Sequence, residues 1–144
     1  MSMTLELHAT PEEVMRAVET MQKFAQAQGV PEKMIFGLAL ALEECGSNIV
    51  NHGLRRDAAK TFHVAFDRQA ETFAIELRDG GPAFDPTATG PRKPQADEDD
   101  LPGGWGIQLV RRYTDEIQYR REAGENILRL TMRLDAPAGP KTIC

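Results

Sequence analysis

Between Leu38 and Gly53 the chain reads LALALEECGSNIVNHG, a stretch that has to be a helix with two distinct faces. Ile35, Leu38, Leu42, Cys45 and Ile49 recur at spacings of three and four, so they form one apolar stripe. Glu44 falls off that stripe, and Asn48 lies one turn further along on the same side as Glu44. Asn48 and Asn51 continue a polar stripe beside the apolar one. A helix built this way commits one side to a core and shows a narrow carboxylate-and-amide strip to something else. Gly46 and Ser47 leave room for a ligand to approach that strip. The plain alternative is a solvated helix flank.

The rest of the chain supplies what this helix packs against. MTLEL, from Met3 to Leu7, alternates as a short strand does. Thr10-Pro11-Glu12-Glu13 then offers an N-cap, a proline at the first helical position and a glutamate at the third. This predicts a first helix running to about Gln28, with Val14, Ala17, Val18, Met21 and Phe24 buried, and Gly29 ending it. Pro31 opens the second helix, which ends near Gly53. Phe62, Val64 and Phe66, then Phe73, Ile75 and Leu77, alternate as two antiparallel strands. Residues 80–103 are dense in glycine, proline and acid, and a loop this long inside a compact domain is usually a lid or a disordered segment. Helical pattern returns from Gly104 to Tyr113, with Ile107, Leu109 and Val110 expected inside. Ile117 and Tyr119, a turn at Gly124, and Ile127, Leu128, Leu130, Met132 and Leu134 predict a last hairpin. The order strand, two helices, hairpin, lid, helix, hairpin predicts a two-layer α/β sandwich, with helices on one face of a mixed, mostly antiparallel sheet.

Composition narrows the function classes. A chain of 144 residues is one domain by size. Its net charge of -5 argues against a nucleic-acid footprint, which is usually basic. The greasiest run, Met34 to Leu42, is bracketed by Lys33 and Glu43 and is far short of a membrane span. The first ten residues have no secretory pattern. Cys45 on an apolar face and Cys144 at the end point away from a disulfide framework and towards a reducing cytoplasm. His8, His52 and His63 have no metal-like spacing with the cysteines and read as ordinary polar positions.

Two further motifs carry possible chemistry. Arg78-Asp79-Gly80-Gly81-Pro82-Ala83-Phe84-Asp85 follows an apolar strand directly. Asp-Gly-Gly is ordinary turn chemistry, but Asp79 at a strand end can also accept a hydrogen bond from a ligand amino group, with Gly81 letting backbone come close. Gly103-Gly104-Trp105-Gly106-Ile107 enters a helix, where free N–H groups favour an anion; a flexible hinge is the alternative. Neither familiar phosphate fingerprint fits: there is no GxxxxGK[ST], and Leu109 stands where GxGxxG has its last glycine. A GxSxG elbow is also absent.

Taken in order, ALEECGSNIVNHG, LRDGGPAFDP and GGWGIQLVRRYTDEIQYRR resemble the N, G1 and G2 boxes of the ATPase superfamily shared by gyrase, Hsp90, histidine kinases and MutL. The chain is most similar to small bacterial anti-sigma factors that are also serine-protein kinases, and the resemblance covers nearly its whole length. It implies the Bergerat, histidine kinase-like ATPase fold over residues 1–136, with an ATP lid at about 82–103 and a flexible tail at 137–144. It implies that Asn48 is the magnesium ligand and Glu44 the general base. Asp79 and Gly81 would receive the adenine with Ala83 beside them, and Gly103, Gly104, Trp105, Gly106 and Ile107 would approach the phosphates. Ala83 departs from the usual second glycine of G1, and Pro102 leaves no basic residue just before the G2 glycines, so Arg92 and Lys93 are the nearest candidates for phosphate neutralisation.

The activity implied is transfer of the γ-phosphoryl of ATP, with Mg2+, to serine or threonine on an anti-anti-sigma protein of the STAS type. The other implied partner is a sigma factor; a homodimer follows from family likeness alone. The main alternative is a non-catalytic ATP-binding protein that sequesters a sigma factor by contact. A fragment of a two-component sensor is disfavoured by Glu44, where histidine kinases often have asparagine, and by the short run before the second helix, which leaves no room for a phosphoacceptor hairpin.

Overall fold

The computed structural model describes residues 1–88 and 101–134, with the backbone alone for residues 88 and 101–106. In chain order the elements are β1 (Ser2–His8), α1 (Pro11–Ala27), α2 (Glu32–Asn48), a π turn (Ile49–Gly53), β2 (Thr61–Arg68), β3 (Thr72–Asp79), a short 3-10 turn (Pro86–Ala88), α3 (Leu101–Tyr113), β4 (Glu116–Glu122) and β5 (Glu125–Arg133). The five strands form one sheet in the order β1-β2-β3-β5-β4. Every neighbouring pair is antiparallel, so the sheet is antiparallel throughout. The helices cover one face of it, which is the expected two-layer arrangement.

Local chemistry accounts for the element boundaries. Thr10 caps α1, its Oγ1 accepting the Glu13 N–H at 3.2 Å. The Glu13 carboxylate accepts the His8 N–H at 3.1 Å and bonds Arg16 at 2.8 Å. Those hydrogen bonds, Arg16 first, hold its pKa at about 2. Gly29 leaves the helix at φ +79°, a left-handed exit that favours glycine. The β4–β5 hairpin closes on Ala123 and Gly124, both at positive φ, as a two-residue turn between twisted strands requires.

The core follows the predicted phases. Val14, Ala17, Val18 and Met21 of α1 and Ile35, Leu38, Leu42 and Cys45 of α2 are buried over Phe62, Val64, Phe66, Phe73, Ile75 and Leu77. Phe24 lies partly buried, its ring 6.1 Å from Phe66 and 6.0 Å from Phe73. In α3 Ile107 and Val110 are buried as expected, but Leu109 is 39% exposed. Ile107 and Val110 together fix which side of α3 faces the sheet, and Leu109, two residues beyond Ile107, is turned away from it. On the opposite sheet face a chain of ion pairs links Asp67, Arg129, Glu76, Arg78 and Glu125 at 3.3–3.4 Å.

Two glycines set how closely the helices pack. A Cβ at Gly46 would stand 3.1 Å from Val14 Cγ1, so this residue is spent on α1–α2 contact and not on ligand access as the sequence suggested. A Cβ at Gly37 would stand 2.6 Å from Tyr113 Cδ1 and 3.0 Å from Tyr113 Cβ, at the root of a side chain that cannot swing away. Gly37→Ala therefore sets a helix-propensity gain of about 1 kcal/mol against an overpacking cost of about 1–3 kcal/mol. The expected result in urea denaturation is net destabilisation; a stabilised variant would show that α3 shifts freely on α2.

Candidate functional site

The site begins where α2 changes pitch. After Asn48 the backbone widens into the π turn, and the Leu54 N–H reaches the Ile49 carbonyl at 2.7 Å. Arg55 and Arg56 follow in left-handed conformation, at φ 54° and 58°. Arg56 is held there by its N–H on the Val50 carbonyl at 2.7 Å and its Nε on Asn51 Oδ1 at 2.8 Å. This turn brings the Gly53 carbonyl onto the loop after β3. A Cβ at Gly81 would lie 2.8 Å from Gly53 O and 3.0 Å from Asp79 Oδ1, so only glycine fits position 81 without a shift.

Asp79 closes β3 in the inward phase of Phe73, Ile75 and Leu77, and Asn126 faces it across the β3–β5 ladder. They are the two buried polar side chains among the described residues, 6% and 7% exposed. Asp79 Oδ1 accepts the Gly81 N–H at 2.8 Å and Asn126 Nδ2–H at 3.2 Å. Asn126 also donates to the Pro82 carbonyl at 2.9 Å. Its Oδ1 accepts from Phe84 N–H, Tyr119 O–H and Arg121 Nη1 at 3.1, 2.6 and 3.2 Å.

Beside this pair lies a cavity of about 410 Å³. Leu77, Ile107, Val110 and Leu128 supply apolar wall, while Asn48, His52, Asp79, Tyr119 and Asn126 supply polar groups. Ala83 and Cys45 line it too. The volume lies within the range of about 300–1,000 Å³ usual for small-molecule sites, and a mostly apolar wall with few convergent polar groups suits a flat heteroaromatic ring. Burial pushes the Cys45 thiol up to about 12, so it lines the cavity as an apolar, unreactive group. Among the described residues no cluster of three His, Cys, Asp or Glu exists to hold a metal. A cation here would lean on Asn48 and on ligand oxygens, the manner in which magnesium usually binds phosphates.

Of the candidate residues read from the sequence, Asn48, Asp79, Ala83 and Ile107 meet at this one cavity, and Gly81 is buried beside Asp79. Glu44 does not line it; half-buried, it lies one turn before Asn48 on α2. Gly103, Gly104, Trp105 and Gly106 lie within the first turns of α3, which starts at Leu101 and not near Gly104. The expected free N–H groups therefore belong to the turn beginning at Leu101, three residues earlier. Arg92 and Lys93 fall outside the described residues, as do residues 89–100 of the lid expected at about 82–103 and the whole of the tail expected at 137–144. The residues missed are Asn126, given no role, and His52, read as an ordinary polar position but set on the cavity wall. A signal for Asn126 existed: it stands in the inward phase of Leu128, Leu130 and Met132, where an unpartnered amide would be costly.

An open antiparallel sheet with helices on one face, and a nucleotide-sized cavity between α2, β3 and α3, define an ATPase-type domain. The histidine kinase-like ATPase domain family matches residues 7–132, and the chain belongs to that family, in its anti-sigma kinase branch. It is 30% identical over 129 residues to the serine/threonine-protein kinase BtrW of Bordetella bronchiseptica, covering 89% of this chain and 91% of that one. It is 26% identical over 129 residues to the serine-protein kinase RsbW of Oceanobacillus iheyensis, covering 86% and 82%. In fold it is similar to the structure of the RsbU and RsbW domains of Rv1364c from Mycobacterium tuberculosis, with TM-score 0.70, 20% identity and 96% of this chain covered. This chain spans 34% of that protein. The SiaB–SiaC complex from Pseudomonas aeruginosa contains a chain of similar fold, with TM-score 0.61 and 11% identity over 91% of this chain and 89% of that one.

Glu44 gives the site a pH signature. Burial, and then the charge of Glu43, raise its pKa above the ordinary 4.5. A raised folded-state value means that the proton stabilises the fold at low pH, and this contribution is lost as pH rises through the folded value. Glu44→Gln keeps the shape without the charge. It should melt higher than the parent at pH 7, with the difference closing towards pH 4.5. A variant that melts lower at pH 7 would mean that the carboxylate has a stabilising partner.

Proposed function

We propose that this protein binds Mg·ATP in the cavity beside Asp79 and transfers the γ-phosphoryl group to a serine or threonine of a STAS-type anti-anti-sigma protein. Residues 1–136 act as one kinase unit, and sigma-factor release follows when the partner's phosphorylation state changes. The observation that carries this reading is the arrival of Asn48, Asp79 and α3 at one cavity, in a chain 30% identical to a serine/threonine-protein kinase. A chain of the same fold is solved in complex with a protein partner, which supports a partner-binding role. Among the described residues no helix is long and apolar enough to cross a membrane.

The roles follow from the chemistry of each side chain. Asp79 accepts a hydrogen bond from the amino group of adenine, whose ring rests against Leu77, Ile107 and Leu128. Asn48 offers its amide oxygen to magnesium without adding a negative charge beside the triphosphate. Magnesium, when bound, neutralises charge on the phosphates during transfer. Glu44, its pKa raised by burial, takes the proton of the incoming hydroxyl. Its place outside the cavity wall, one turn from Asn48, suits a group that meets the protein substrate and not the base. Gly103, Gly104 and Gly106 make the first turns of α3 intrinsically weak, each by about 1 kcal/mol against alanine, so that segment can reshape around phosphate. Two copies of the chain forming a dimer are compatible with this scheme.

The non-catalytic binder remains the second reading, and Ala83 in place of a G1 glycine is the feature that favours it. Incubation with labelled Mg·ATP and a candidate STAS protein separates the two. Label should appear on the partner, and Glu44→Gln should slow transfer by about 10²–10⁴-fold, the usual contribution of a general base. Nucleotide binding with no label on any partner would establish the binder, and transfer undiminished in Glu44→Gln would remove that residue from the base role.

A further inference from the structure

The amide of Asn126 is used up by the protein. Its Oδ1 faces three donors, Phe84 N–H, Tyr119 O–H and Arg121 Nη1, at 3.1, 2.6 and 3.2 Å. Its Nδ2 faces three acceptors, Asp79 Oδ1 at 3.2 Å, Pro82 O at 2.9 Å and Gly81 O at 3.5 Å. That division fixes the orientation of the amide, because a flip would set N–H against N–H and oxygen against oxygen on both sides. An amide has two N–H donors and about two lone pairs, so none is left for a ligand. Asp79, in contrast, is engaged among the described side-chain contacts through Oδ1 alone.

A second contact braces the same loop. Arg121, on the edge strand β4, donates from Nη1 to the Gly81 carbonyl at 2.8 Å as well as to Asn126 Oδ1. Residues 79, 81, 82 and 84 are thus tied to two side chains of the β4–β5 hairpin by contacts that span 40–47 positions of the chain. The carboxylate is held at one oxygen and left open at the other.

We propose that Asn126, braced by Arg121, is the positioning residue that presents Asp79 Oδ2 to the base of a bound nucleotide. This rests on the nucleotide-binding reading given above. Asn126 touches no ligand; it acts by fixing the rotamer of Asp79 and the path of the turn from Gly81 to Phe84. Asn126→Asp would set an oxygen against Asp79 Oδ1 and the Pro82 carbonyl in place of the donor. Arg121→Ala removes only the brace, from an exposed edge position outside the core.

The experiment is titration calorimetry of the full chain with Mg·ADP, together with melting of the nucleotide-free protein and steady-state transfer kinetics. Lost hydrogen bonds and a new repulsion should weaken Mg·ADP binding by about 100-fold in Asn126→Asp, and loss of the brace by about 10-fold in Arg121→Ala. Nucleotide-free melting of Arg121→Ala should match the parent, and the kinetic loss should lie in KM for ATP with kcat retained, the pattern of removed ground-state binding. If Asn126→Asp does not fold, Arg121→Ala carries the test. Parent-like affinity in the folded variants, or a loss confined to kcat, would overturn the positioning role while the nucleotide reading stands. A parent protein that gives no heat with Mg·ADP overturns both.

Discussion

A carboxylate enclosed in a protein core is tolerated only when hydrogen bonds replace the water it has lost, and the organisation of this molecule follows from how Asp79 meets that demand. Among the described residues no cation pairs with it. Its Oδ1 is satisfied by one backbone N–H from the turn that follows and by one amide N–H from the neighbouring strand. The second donor exists only because β5 lies beside β3 in a register that sets Asn126 opposite Asp79. Slip that ladder by one residue and Asn126 would point to the opposite sheet face, leaving both groups without partners. The sheet register and the Asp79–Asn126 pair beside the cavity are therefore one constraint.

The same economy appears in the backbone contacts. Gly81 lets the loop after β3 lie against the Gly53 carbonyl, and the π turn delivers that carbonyl because the chain spends an extra residue in the last turn of α2. The left-handed pair at Arg55 and Arg56 then leads the chain away towards β2, held by two hydrogen bonds back to Val50 and Asn51. Further up the same helix Gly46 and Gly37 let α1 and α3 approach. One helix, with the turn that follows it, thus sets the distances to α1, to α3 and to the loop that follows Asp79.

Much of this was legible in residue order. The alternation of β2 and β3, the cap at Thr10 and the apolar stripe of α2 each report local periodicity, and each element formed where its pattern lay. Asn48, Asp79 and Ala83 could be singled out because their motifs are contiguous, and they do reach a common cavity. What failed were statements that depend on a neighbour. Gly46 looked like space for a ligand because the side chain of Val14 above it cannot be read from sequence. Leu109 looked buried because apolar character alone does not say which side of a short helix faces the sheet. His52 read as an ordinary polar position and Asn126 received no role, because what surrounds them comes from residues distant along the chain. The start of α3 was misplaced because glycines read as helix breakers, yet here they lie inside its first turns.

Sequence alone determined which segments are strands and helices, which residues could carry charge or hydrogen bonds, and the family to which the three motifs point, because all of these are written in local spacing. Tertiary structure decided that Asp79 is held by Asn126 and braced through Arg121, that Gly81 must be glycine, and that Glu44 lies off the cavity wall. Those outcomes rest on distances between segments that the chain brings together only when the sheet closes and the helices pack, and no periodicity within a single segment encodes them.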